Sequence, residues 1–511
     1  MSIGRRGLAG LAAIAVLAAA CGGGGDESKG SDKPSEPTAA TSQAPSGDSN
    51  RNSVAAFHDQ TIDWTDCGDF QCGSVEVPMD YSNPSGPTVD IQLKRAPATG
   101  DPIGTLFINP GGPGGSGTDY LTTFSHEMSD QMRAHYDVIG FDPRGVAKSD
   151  PLVCVNDAEL DKLVAFDPTP DTPAEVTEAR DLLRQLGDGC ADAGPLAEHM
   201  STVDVARDLD ILRAAVGDPK LNYYGASYGT YIGAIYAELF PQRVGRFVLD
   251  GAIDPSLSPQ QFNIGQAKGF QRALDAYIDD CVSSGDCPLG TNHDEAIQRL
   301  HSFLDDLDQH PLDSGDPARP LTEGLGFYGI AVTLYVKDYW PLLTQALTAA
   351  FNGDGSVLLT LADAYLQRDD NGYTNNSSQV IYAVNCLDHP VHMTNQQIEQ
   401  SVPRYEKASS VFGRVFAWSM LGCSNWPLKA DQPTPSIDAA GSAPIVVIGT
   451  TRDPATPYAW AVGLANELKS GVLITRDGDG HTGYHMGNEC VDNAVDNYLI
   501  DGKVPQNSLS C

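Results

Sequence analysis

The sequence predicts an α/β fold, a mostly parallel sheet with helices on both faces and a large, mainly helical insertion before the last strands. Three observations predict it. Short apolar runs alternate with helix-patterned segments from Gly104 to Asp250, and that rhythm calls for parallel strands joined by crossover helices. From Pro255 to Pro435 the rhythm gives way to helical patterns such as Gly265 to Cys281 and Asp294 to Leu307. It resumes at Ala443-Pro-Ile-Val-Val-Ile448 and runs on to a last helix from Cys490.

A chain of 511 residues is long enough for two domains, or for one domain with a large insertion. Its 41% hydrophobic content supports a packed core. The net charge of −35, from 32 basic and 67 acidic residues, excludes nucleic acid as a partner, because phosphates need a basic surface. It describes an acidic, highly soluble exterior.

Arg5 and Arg6 precede an apolar run, Leu8 to Ala20, too short to span a bilayer. The run ends in Leu17-Ala-Ala-Ala-Cys21, which resembles a bacterial lipobox, with alanine in place of a branched aliphatic residue three before the cysteine. On this reading residues 1–20 are a signal peptide and Cys21 is lipidated. Residues 21–55, rich in Gly, Ser, Pro and Thr, then form a flexible tether. The protein would lie in the cell envelope, on the outer face of the cell membrane, and meet that membrane only through the lipid. The alternative is an ordinary signal peptide cut after an Ala-x-Ala site. Of 11 cysteines, setting Cys21 aside leaves an even number, as expected of disulfides in an exported chain. They fall in near couples: Cys67 with Cys72, Cys154 with Cys190, Cys281 with Cys287, Cys386 with Cys423, and Cys490 with Cys511. There is no Cys-x-x-Cys pair, so neither metal nor cofactor is expected.

Within the first core segment, residues 56–254, Val75 to Val77 and Val89 to Leu93 pattern as an edge hairpin. Gly104 to Ile108 is a buried strand that runs into Asn109-Pro-Gly-Gly-Pro-Gly-Gly115. No lysine follows at P-loop spacing and no Gly-x-Gly-x-x-Gly occurs, so this is not a phosphate cradle. So much glycine lets backbone N–H groups approach a ligand closely. Tyr136 to Phe141 is the next strand, followed by Asp142-Pro-Arg-Gly145 and a polar excursion from Ser149 to Met200. Ser201 caps a helix whose Val205, Leu209, Leu212 and Val216 recur at helical spacing and which stops at Gly217-Asp-Pro219. Strands are expected at Lys220 to Tyr224 and Arg246 to Asp250. After the insertion, 255–435, the second core segment, 436–511, holds a helix at Tyr458 to Leu468 and a strand at Gly471 to Thr475.

Chemistry centres on Gly225-Ala-Ser-Tyr-Gly229, which joins the strand to the helical run Thr230 to Ala237. A serine flanked by glycines two residues away at such a junction is a nucleophile elbow. The helix N-terminus beside it favours negative charge. A serine needs a base, and the base an acid to orient it; on sheets with this elbow they follow in the order Ser, acid, His. Asp453 follows the Ile445 to Ile448 strand and His481 the Val472 to Thr475 strand, with one helix and one strand between them. Asp477 and Asp479 share the histidine's own loop and cannot support it from behind, and His485 sits at the wrong loop position. Ser227, Asp453 and His481 are therefore the expected catalytic residues. Backbone N–H groups of Tyr228 and of Gly111 or Gly112 are the expected oxyanion hole.

The motifs Asn109-Pro-Gly-Gly-Pro-Gly114, Asp142-Pro-Arg-Gly145, Gly225-Ala-Ser-Tyr-Gly229, Cys386-Leu-Asp388, Cys423-Ser-Asn-Trp-Pro427, Asp453-Pro-Ala-Thr-Pro457 and Gly480-His481 together resemble the secreted tripeptidyl aminopeptidase-like branch of the α/β-hydrolases, related to prolyl iminopeptidases. The likeness runs from about Asp63 to Cys511. Prolyl iminopeptidases open the glycine loop with histidine, and Asn109 stands there in this chain. The resemblance implies the α/β-hydrolase fold with the insertion as a cap. It also implies an exported serine exopeptidase that takes short peptides, tripeptides, from the free N-termini of peptide or protein substrates. An esterase, lipase or endopeptidase on the same fold is the alternative reading, and a non-catalytic peptide-binding envelope protein a third. A free α-ammonium calls for a buried carboxylate. Asp388 is the candidate, with a salt bridge or helix cap as the competing role. Thr456 is expected to shape the wall near the acid loop.

Overall fold

Alternate residues along a strand point to opposite faces, and the apolar strands of this chain carry large side chains on both. A sheet built from them must be covered on both sides. In the computed structural model, which describes residues 53–511, the strands are β1 (Thr65–Cys67), β2 (Phe70–Pro78), β3 (Thr88–Ala96), β4 (Gly104–Asn109), β5 (Tyr136–Phe141), β6 (Leu221–Ala226), β7 (Val244–Asp250), β8 (Arg368–Asp369), β9 (Gly372–Tyr373), β10 (Ile445–Arg452), β11 (Gly471–Asp479) and β12 (Leu509–Ser510). Ten of them form one sheet in the order β1-β2-β3-β5-β4-β6-β7-β10-β11-β12. Every pairing from β5 to β12 is parallel, and β1, β2 and β3 pair antiparallel at one end. The signal peptide, Cys21 and nearly all of the tether lie outside the described residues.

The pleat sorts the core in two. Leu106, Ile108, Val446 and Ile448 pack on one face with Leu121, Phe124, Val491 and Val495 from the helices Gly117–Glu127 and Glu489–Asp501. Phe107, Ile445 and Val447 point the other way, toward Leu209, Leu212, Ile232 and Ile235 of the helices Thr202–Ala215 and Tyr228–Leu239. Ser201 caps the first of these, its Oγ accepting from Asp204 N–H.

All five expected cysteine couples are bonded. Four short strands have no counterpart in the sequence reading: β1 and β12 in the main sheet, and β8 and β9 in the insertion. β12 adds Leu509 and Ser510 to β11 beside Cys511, whose disulfide to Cys490 and N–H bond to Thr475 O hold the chain end on the sheet. The strands β10 and β11 also continue past their expected ends, to Arg452 and Asp479.

Between β7 and β10 the described structure is helical apart from the small β8–β9 ribbon. Its longest helix, Pro259–Ser284, lies against the loop after β10. A Cβ on Gly269 would stand 2.3 Å from Pro454 O. The excursion after β5 joins the same layer. Gln379 Oε1 accepts from the N–H groups of Cys154 and Val155, and Arg368 forks onto Asp161 at 2.8 and 3.0 Å. Among the described residues no helix is long and apolar enough to cross a membrane.

Candidate active site

The elbow is as tight as its sequence requires. Ser227 follows β6 with φ 55° and ψ −124°, then the helix Tyr228–Leu239 begins. A non-glycine residue at such a φ is strained and persists only where its surroundings fix it. Here Ser227 N–H donates to Asp250 O at 2.8 Å, and Ser227 O accepts from Thr230 N and Oγ1 at 2.9 and 2.6 Å. No side chain fits at Gly225, where a Cβ would lie 2.4 Å from Gly229 O.

The glycine loop after β4 passes directly over this turn. A Cβ on Gly111 would meet Ala226 O at 2.6 Å and Tyr228 N at 2.7 Å. The Gly111 N–H is itself engaged, donating to Asn109 Oδ1 at 2.9 Å. Gly112 N–H makes no hydrogen bond to a described residue, and Tyr228 N–H belongs to the first turn of its helix, where no helical acceptor exists. Of the two glycines expected as donors, Gly112 is the one whose N–H is available.

Asp453 and His481 meet at the ends of β10 and β11. Both Asp453 oxygens lie 2.9 Å from His481 Nδ1. The carboxylate also accepts from Ala455 N, Thr456 N, Thr456 Oγ1 and Thr482 N, at 2.8 to 3.2 Å. Asp453 is 1% and His481 5% exposed. Thr456 Oγ1 also reaches His481 Nδ1, at 3.3 Å. The second ring nitrogen, Nε2, is buried without a hydrogen-bond partner. The insertion holds this loop from above: His481 N–H donates to Tyr335 O at 2.8 Å, and the Tyr335 ring meets the imidazole edge-on at 5.3 Å.

A cavity of about 370 Å³ opens beside Ser227, between the core loops and the insertion. Gly112 and Ser227 form its floor, and aromatic rings such as Phe262, Tyr328, Tyr382 and Phe416 its walls. Among the described residues lining it there is no Asp, Glu, Lys or Arg. His389 lines it too, and burial pushes its pKa down to about 4.

Asp388 does not line this cavity, although Asn385 and His389 do. Its Oδ1 accepts from Thr202 N at 2.9 Å and its Oδ2 from Thr202 Oγ1, which also bonds the Tyr228 hydroxyl. Burial raises its pKa to about 7. The side chain ties the insertion helix Ser377–Asp388 to the start of the helix Thr202–Ala215. Asp477 pairs with Arg452 and Asp479 with Arg452 and Lys337, away from the imidazole. His485 lies tilted against the Tyr484 ring and meets Phe124 edge-on.

One site-building residue escaped the sequence reading. Asp250, the last residue of β7, is fully buried beneath the loop of His481. The sequence shows only an acid closing the apolar run Phe247-Val-Leu249, which does not by itself mark a role.

Comparison with known proteins matches residues 409–511 to the family described as TAP-like protein. Serine protease Hip1 of Mycobacterium tuberculosis is 40% identical to this chain over 476 residues, which cover 88% of this chain and 91% of that protein. Carboxylesterase B of Mycobacterium tuberculosis is 38% identical over 473 residues, covering 88% and 89%. Tripeptidyl aminopeptidase of Streptomyces lividans is 33% identical over 470 residues, covering 88% and 86%.

Proposed function

The chain belongs to the tripeptidyl aminopeptidase-like family of α/β-hydrolases and is a serine peptidase, and from that premise we propose that it is an exported exopeptidase releasing tripeptides from the N-termini of peptides. The observation that supports the serine chemistry in this reading is the His481–Asp453 pair, with imidazole Nε2 unpartnered at the same sheet edge as the elbow serine. His481 takes the Ser227 proton as Oγ attacks the scissile carbonyl. Asp453, bonded to Nδ1, fixes the tautomer and stabilises the imidazolium. The oxyanion is received by the N–H groups of Tyr228 and Gly112. His481 then protonates the leaving amine, and water releases the acyl group from Ser227. A cavity of this size under the insertion suits the end of a peptide rather than the middle of a folded chain.

Both oxygens of Asp388 are taken up by Thr202, so we assign it to the junction of insertion and core, not to the substrate amine. Export and a lipid anchor at Cys21 complete the proposal; Cys21→Ser should move the protein from the membrane fraction to the medium.

A second reading, an esterase, is favoured by the uncharged cavity lining and by the carboxylesterase relative. One assay separates them. A chromogenic tripeptide amide is offered with a free and with an acetylated N-terminus, beside short acyl esters, with Ser227→Ala as control. Cleavage of the free form alone, lost by about 10⁶ in the variant, supports the exopeptidase. Equal cleavage of both forms turns the reading to an endopeptidase. Turnover of esters alone turns it to the esterase.

A further inference from the structure

We propose that Asp250 is a positioning residue for the reaction at Ser227, holding the nucleophile through its main chain and the base loop through its carboxylate. The inference rests on the assignment of Ser227 and His481 above. β7 lies between the elbow strand and the acid strand, and Asp250 is in register with Ala226 of β6 on one side and Ile448 of β10 on the other. Its carbonyl oxygen accepts the Ser227 N–H at 2.8 Å. Its carboxylate accepts Gly483 N–H on Oδ1 at 2.8 Å, and Tyr484 N–H and the Tyr224 hydroxyl on Oδ2 at 2.8 and 3.0 Å. The next residue closes the link. A Cβ on Gly251 would lie 3.2 Å from His481 Cε1, so the imidazole rests on this backbone.

The loop needs such an anchor. Thr482, next after His481, has φ of 71°, and strained backbone of that kind at a non-glycine residue is kept only by bonds from outside. Asp453 orients the ring, and Asp250 fixes the chain that carries it. Two N–H groups arriving at separate oxygens require two acceptors. The carboxylate offers both, whereas a protonated acid or an asparagine gives one position to a donor.

Other groups also face this carboxylate. The phenols of Tyr224 and Tyr120 face it, the His481 ring lies beside it, and Arg476 on β11 attracts it, while the Tyr484 hydroxyl turns away to Asp496. Arg476 holds the same loop from the far side through Asp479 O, Thr482 O and Met486 O. Burial raises the pKa of Asp250 to about 6, against the bonds from Tyr484, Gly483 and Tyr224 that lower it. Above about pH 6 the carboxylate holds both N–H groups; below it the acid protonates and releases one. A general base must also be unprotonated. The acid side of the activity profile therefore carries the protonation of Asp250 in addition to the one that any general base imposes.

The test follows kcat/KM for the tripeptide amide between pH 4.5 and 8. In wild type the logarithmic slope should approach two on the acid side. In Asp250→Asn it should fall to one, with kcat reduced 10- to 100-fold at pH 8 and KM within threefold. Tyr224→Phe removes a bond that favours the carboxylate, so its acid limb should move to higher pH with the slope unchanged. A wild-type slope of one overturns the proposal, as does a slope of two retained in Asp250→Asn. If circular dichroism finds Asp250→Asn unfolded, Tyr224→Phe decides, and an unmoved limb overturns the proposal. Should Ser227→Ala keep its activity, the underlying assignment fails. A dead Ser227→Ala beside an unaltered Asp250→Asn profile sinks only the role of Asp250.

Discussion

Two buried pairs of opposite character sit about the same sheet. In one, Arg144 of the Asp-Pro-Arg-Gly turn forks onto Asp208 at 2.7 and 2.6 Å, and its remaining donors go to Pro78 O, Met79 O and His199 O. Tyr81 hydroxyl donates to the same aspartate at 2.7 Å. Every direction is used, and the pair locks the start of the excursion to the helix beneath it. In the other, Asp453 accepts bonds on both oxygens, yet His481 keeps one nitrogen unpartnered. The open nitrogen is the one a general base would use toward the elbow serine, since Nδ1 is held by the acid. The contrast separates a pair that holds structure from a pair kept ready for chemistry.

The two pairs should therefore fail differently. The largest effect on activity short of losing Ser227 is expected from Asp453→Asn, which removes the tautomer control at a cost of about 10⁴ in kcat. The new amide also faces one of the N–H groups that the two oxygens share, so stability should fall by about 1–3 kcal/mol, and a loss of activity below tenfold would undo the assignment. Arg144→Met should do the reverse. Stranding Asp208 without its partner should cost about 3–5 kcal/mol in denaturant unfolding, with kcat of the surviving folded protein near wild type. Replacing both partners, Arg144→Met with Asp208→Leu, should recover much of that loss. A double variant as unstable as the single one would mean that the pair is not what locks the turn. Thr456→Val sharpens the boundary between the two kinds. It deletes one hydrogen bond to Asp453 and one contact to the imidazole, about 1 kcal/mol. It should slow kcat by roughly fivefold to tenfold with KM unchanged, whereas a KM effect alone would make Thr456 part of the substrate wall.

What the sequence made legible follows from where the constraints are local. The elbow, the glycine loop and the order of acid and histidine are dictated by turn geometry and strand ends, and each could be read from a few adjacent residues. The cysteine couples were legible because each joins successive cysteines along the chain, 5 to 37 residues apart. Asp250 was not, because its meaning depends on which strands flank β7 and on a loop far downstream whose N–H groups it receives. β12 was hidden too, since Leu509 and Ser510 lie on β11 in a segment held by the Cys490–Cys511 bond and by hydrogen bonds to distant residues. Choosing between Gly111 and Gly112 turned on the rotamer of Asn109, which the loop's composition does not specify.

Asp388 gives the finest division between holding and reacting. An acid within a shared motif near the cavity suggested an ammonium site, but the two oxygens are spent on the N–H and hydroxyl of Thr202. Asparagine can meet the same two groups, with its oxygen on the N–H and its amide on the hydroxyl. Burial raises the carboxyl pKa from 3.8 to about 7 in the fold. The native state therefore holds a proton that the unfolded chain gives up near pH 4. The stability this brings is complete below pH 4 and declines as pH rises to about 7, by up to roughly 1.4 kcal/mol per pH unit. Asp388→Asn cannot titrate, so the difference in unfolding free energy between variant and wild type should grow in the variant's favour from pH 4 to 7 and then level off. Its kcat/KM on the free tripeptide amide should stay within threefold of wild type. If the variant instead lost its preference for a free over an acetylated N-terminus, the carboxylate would be reading the substrate amine and Asp388 would move from the first kind of pair to the second.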